Sequence, residues 1–126
     1  MSTWIAIAIG GALGSVARHG LNHFMHARLL TTKFPAGTLV VNLAGCLVIG
    51  ALAGLLAGHR IDLRFYWREF VFVGLLGGFT TFSTFGLDTF MLMRTHSVAA
   101  ALANVGAQMI GGLAAVWVGY QLGVRA

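Results

Sequence analysis

The sequence holds one cysteine, one proline and three acidic residues. A lone thiol, Cys46, excludes an internal disulfide and leaves no cysteine cluster to ligate a metal, so it reads as a small packing residue. The single proline, Pro35, stands where an apolar run begins, a first-turn position that needs no backbone donor, so it opens a helix and kinks none. Charge is scarce as well: 9% of residues are Asp, Glu, Lys or Arg, against about 25% in soluble domains. What remains is 58% hydrophobic, with a mean hydropathy of +0.86. The fold class is therefore an all-α membrane protein. No constellation of catalytic side chains is visible, which points away from an enzyme, and no organic cofactor motif is present. The net charge of +5 comes mainly from residues at the ends of apolar runs, where they anchor to lipid headgroups; no basic stripe suggests nucleic acid.

Four apolar runs fall between the polar clusters, about 3–26, 35–58, 68–93 and 97–123, and each reaches the ~20 residues a spanning helix needs. The chain reads as one domain of four transmembrane helices in a multi-pass arrangement. No Lys or Arg precedes the first run, so it reads as a span and not as a cleaved signal. Small residues four apart, at Gly10/Gly14, Gly50/Gly54/Gly58, Gly74/Gly78 and Gly119/Gly123, predict closely approaching helices. Orientation is weakly coded. Arg60, Arg64, Arg68 and Arg125 fall on one side of such a bundle, and Arg28, Lys33 and Arg94 on the other. That balance leaves two readings open: a single orientation, or a dual-topology chain that pairs with an inverted copy of itself.

Inside the spans, polar side chains recur at helical spacing. Thr38 and Asn42 share a face of the second run, and Asn104 and Gln108 share a face of the fourth. Arg18 lies within the first run, followed by Asn22 and by His19, His23 and His26. It is read either as a snorkelling anchor or as a fixed charge that draws an anion into a vestibule. The acids Asp62, Glu69 and Asp88 fall in a loop, at a span edge and towards a span end. Proton-coupled export of organic cations needs a carboxylate deep in the membrane, so amide, hydroxyl and guanidinium donors without one suit an anion. The third run carries GGFTTFSTFG at 77–86. Gly77 and Gly78 weaken a helix by about 1 kcal/mol each, while Thr80, Thr81, Ser83 and Thr84 satisfy freed backbone groups. A discontinuous helix at the two glycines is expected. Phe79, Phe82 and Phe85 recur every third residue beside the hydroxyls, and phenylalanine edges are electropositive.

GGALGSVARH (10–19), GTLVVNLAGC (37–46) and GGFTTFSTFG (77–86) together resemble the Fluc, or CrcB, family of fluoride channels, over nearly the whole chain. The resemblance implies an antiparallel, dual-topology homodimer in a bacterial plasma (inner) membrane, its partners being fluoride, the lipid bilayer and its own second copy. Two pores would let fluoride leave the cell passively. By matching position, Phe82 and Phe85 would line the pore with ring edges, Asn42 would donate to the ion, and Ser83 and Thr84 would extend the polar track. Asn104 and Gln108 would be fourth-span members of that track, and Arg18 matches the first-span arginine. A structural sodium ion on the dimer axis would be held by the carbonyls of Gly77 and Thr80. Alternatives are a small dual-topology multidrug exporter and a structural membrane subunit.

Overall fold

The computed structural model describes residues 2–28 and 34–126. The connection expected over 27–34, with Lys33, lies largely outside them. Helix α1 covers Thr3–Arg28 and α2 covers Ala36–Ala57. The third run folds as two pieces. Its first, α3 (residues 65–79), joins a turn at Phe65–Arg68, a π-helical stretch at Glu69–Leu76 and a last α-turn at Gly77–Phe79. Its second, α4, covers Phe82–Thr95, and α5 covers Val98–Arg125.

Local sequence explains the ends. α2 starts directly after Pro35. The hydroxyl of Ser97 accepts from the Ala100 amide and opens α5, while Thr81 does the same for the Thr84 amide at the start of α4. After α2, Gly58 and the left-handed His59 (φ 53°) turn the chain, with the Arg60 amide returning to the Leu55 carbonyl at 2.9 Å.

Two helix pairs form the body, α2 along α5 and α1 along α3. Both are glycine seams, as the spacing predicts. A Cβ on Gly54 would fall on the Tyr120 carbonyl oxygen, and one on Gly119 or Gly123 would strike the backbone of α2. In the other pair, a Cβ on Gly10 would sit 2.5 Å from the Phe70 carbonyl oxygen, and one on Gly78 would sit 2.6 Å from that of Gly11. Van der Waals contact and hydrogen bonding, not the hydrophobic effect, hold helices together in lipid, so this close backbone approach is the cohesive interaction.

Three stretches among the described residues are long and apolar enough to cross a membrane: Ala36–Ala57, Phe65–Thr95 and Val98–Arg125. Helix α1 has 26 residues, but the polar turns from Arg18 to His26 dilute its apolar content. Large apolar side chains point outward on every helix; Trp4, Val73, Ile110 and Trp117 are each more than half exposed. Such a surface suits lipid or a second membrane-embedded chain.

The break does not sit where the sequence places it. Gly77 and Gly78 are helical, and Gly78 is small because α1 passes against it. The helix stops instead at Thr80 (φ −82°, ψ 159°) and Thr81 (φ −150°, ψ 117°), whose extended backbone suits β-branched side chains.

Candidate functional site

Extended residues inside a membrane segment expose backbone groups that lipid does not satisfy. The first to be satisfied is Thr81. Its N–H donates to Asn42 Oδ1 at 2.9 Å, and its carbonyl accepts from Asn42 Nδ2 at 3.1 Å. One carboxamide of α2 thus closes a two-point clamp on the broken peptide. Asn42 Nδ2 donates a second time, to Gln108 Oε1 on α5, at 3.0 Å. From the other side, a Cβ on Gly45 would run into the Thr80 methyl group, so α2 presses on the break one turn beyond Asn42.

This chain of bonds fixes which end of each amide is nitrogen. The Thr81 N–H is a donor by its chemistry, so the Asn42 atom facing it is oxygen. Asn42 Nδ2 must then donate, and the Gln108 atom it meets must be Oε1. Gln108 Nε2 is left as a buried donor without a partner, on a side chain only 7% exposed. Asn104, one turn earlier on α5 and 0% exposed, is fixed in the same way. Thr89 Oγ1 donates to the Phe85 carbonyl at 2.8 Å, so it accepts from Asn104 Nδ2 at 2.9 Å, and Asn104 Oδ1 is unpaired.

The break also frees carbonyls. In an unbroken helix the Gly77 oxygen would accept from the Thr81 amide and the Thr80 oxygen from the Thr84 amide. Here the first amide is taken by Asn42 Oδ1 and the second by Thr81 Oγ1 at 3.3 Å. Gly77 and Thr80, the residues expected to face a cation, are thus among the residues at the break, 77–80, whose carbonyls lose their helical partners. Among the described residues no group of three or more His, Cys, Asp or Glu side chains could hold a metal.

A groove of about 330 Å3 opens on this region, lined in part by Asn42, Thr80, Thr81, Phe82, Phe85 and Gln108. Phe82 projects outward at 78% exposure while Phe85 is 8% exposed, and their rings meet at 5.5 Å with planes tilted by 57°. Around the break Thr81 Oγ1 donates to Thr84 Oγ1 at 3.0 Å and lies 3.4 Å from Ser83 Oγ. Thr84 therefore keeps its own hydroxyl proton for another acceptor.

Not every expected residue converges here. Arg18 is half-buried on α1 and does not line the groove. Asn104 reaches it only through Thr89 and the Phe85 carbonyl. No acid lines it either. The Asp88 carboxylate accepts from Thr38 Oγ1 at 2.7 Å, in the first turn of α2, which places it towards a helix end as its sequence position suggests. The sequence reading omitted Thr81 as a site residue and missed the Thr38–Asp88 pair. The TT dipeptide was the available signal for Thr81, since Thr is a favoured helix N-cap.

These features define an all-helical, multi-pass membrane protein built around an interrupted helix whose break is held by an amide of a neighbouring helix. The chain belongs to the CrcB family: the family model described as "CrcB-like protein, Camphor Resistance (CrcB)" matches residues 5–120. It is 49% identical over 121 residues to the "Fluoride-specific ion channel FluC" of Paracoccus denitrificans, covering 96% of this chain and 94% of that protein. It is 48% identical over 119 residues to "Fluoride-specific ion channel FluC 2" of Symbiobacterium thermophilum, covering 94% and 95%. A FluC of Solibacter usitatus is 43% identical over 122 residues, covering 97% and 98%.

Proposed function

We propose that this chain is the subunit of a fluoride-selective channel that lets the ion leave the cell down its gradient. The observation that carries the reading is the groove at the break, which the Gln108 amide with its free donor lines together with Phe82 and Phe85 and which no carboxylate lines. Fluoride is small and strongly hydrated, so a path across the membrane must replace its water with donors at close range. Gln108 Nε2, on the groove's lining, is an unspent donor; the Thr84 hydroxyl is another, and it and Ser83 Oγ both neighbour Thr81 Oγ1, just outside that lining. Asn42 Nδ2 already donates twice and serves chiefly to orient Gln108. The relatives named as fluoride channels support the same reading. A cation exporter is disfavoured because the groove's described lining holds no acid.

In this proposal α1 is the fourth span, and two copies pair antiparallel in a bacterial inner membrane, each supplying a broken helix. Phe82 at 78% exposure beside an open groove offers a second chain a surface to cover, and the balance of loop charges permits an inverted one. Carboxyl-terminal reporter fusions are expected on both faces of the membrane; a signal from one face alone contradicts dual topology. The freed carbonyls of Gly77 and Thr80, doubled by the second copy, fit a sodium ion, which takes oxygen ligands from unwound helix segments. Bound there, sodium would tie the two breaks together. Dimers that assemble and conduct equally well without sodium would exclude that role.

Phe85→Ile is expected to cut fluoride efflux from liposomes at least tenfold while the protein still elutes as a single folded species. Isoleucine fills most of the buried volume but has no electropositive edge. Undiminished efflux would remove Phe85 from the pathway.

A further inference from the structure

A second groove, of about 250 Å3, lies at the opposite end of α3 from the break and is lined by Phe65, Arg68, Glu69, Phe72 and Val73. Its polar and apolar parts are separated along the helix. Arg68 is exposed and Glu69 half-buried, and Phe72 and Val73 lie one turn further along the helix, with Val73 52% exposed. Arg68 and Glu69 form no ion pair with each other, nor with any other described residue. A guanidinium and a carboxylate therefore share one concave site with both charges unspent. The surrounding segment is built for the headgroup layer: Phe65, Tyr66 and Trp67 are all exposed, and Arg64 stands one turn before Arg68.

We infer that this groove binds a phospholipid carrying a primary ammonium, of the phosphatidylethanolamine type. Arg68 takes the phosphate in charge-assisted hydrogen bonds, Glu69 accepts from the ammonium, and one acyl chain lies along Phe72 and Val73. The carboxylate selects among lipids. A phosphatidylglycerol headgroup brings negative charge with no cation for Glu69, and a choline headgroup brings a cation that cannot donate a hydrogen bond. A general basic surface would prefer anionic lipid instead, and Arg60 and Arg64 alone would give that result.

The test is native mass spectrometry of the purified protein in detergent, titrated with phosphatidylethanolamine, phosphatidylcholine or phosphatidylglycerol of identical acyl chains. The proposal predicts a roughly fivefold preference for phosphatidylethanolamine, the size one partly exposed charged contact supports. Glu69→Gln should erase the preference over phosphatidylcholine, and Arg68→Gln should weaken retention of all three lipids. Neither side chain has a bonding partner among the described residues, and unchanged elution of the variants checks that the fold is intact. Equal retention of the three lipids, a preference for phosphatidylglycerol, no retention at all, or a preference that survives Glu69→Gln each overturns the assignment.

Discussion

Asn42→Leu is expected to reduce fluoride conduction to background and to lower the thermal midpoint of the purified protein. Leucine matches the amide closely in size but removes the acceptor of the Thr81 N–H and the donor to both the Thr81 carbonyl and Gln108 Oε1. A buried backbone group left unpaired costs about 1–3 kcal/mol, and lipid supplies no water to soften that loss. Gln108→Leu separates structure from conduction. It removes the free donor but leaves the clamp on Thr81 in place, so efflux should fall with a much smaller drop in midpoint. Asn42→Asp should resemble Asn42→Leu, because one of its oxygens still serves the Thr81 amide while the other confronts two acceptors. If Asn42→Leu conducts normally, the clamp has no part in the pathway.

The second large effect is expected at the glycine seam between α2 and α5. Gly54→Ala adds a Cβ that falls on the Tyr120 carbonyl oxygen and lies 2.9 Å from the Val124 nitrogen and 3.0 Å from the Gly123 Cα. All of these are backbone atoms, so no side chain can rotate away and the helices must separate. Overpacking of this kind costs about 3 kcal/mol, and separation also gives up contacts along the seam. The same substitution at Gly20, where nothing lies within 4 Å, should be neutral or stabilising by about 0.5–1 kcal/mol. Fluorescence-detected elution and thermal melts of the pair give the comparison. Equal behaviour of the two variants would contradict the seam.

How much of this was legible beforehand depends on whether the cause was local. The runs 35–58 and 97–123 became Ala36–Ala57 and Val98–Arg125, since apolar length between polar clusters is written in sequence order. The seam glycines were legible because spacing by four puts small residues on one face whatever the partner. The break was legible as an event but not as a position. Glycine has two uses in a membrane helix, loosening it and letting a neighbour approach, and at Gly78 the second use prevails. The TT dipeptide marks the N-cap locally, but the partner that satisfies the freed Thr81 amide lies 39 residues away in sequence, which no local propensity reveals. The same holds for Gln108: its spacing from Asn104 marked a polar face, but only the anchored chain from Thr81 through Asn42 shows which atom is free.

The central claim is that the groove at the break passes fluoride and excludes other anions. The most direct measurement is release of fluoride from liposomes containing the purified protein, followed with a fluoride electrode after a potassium ionophore is added, beside vesicles loaded with chloride. The account predicts rapid fluoride release and no chloride release. Comparable release of both ions, or release of neither from well-folded protein, would contradict it.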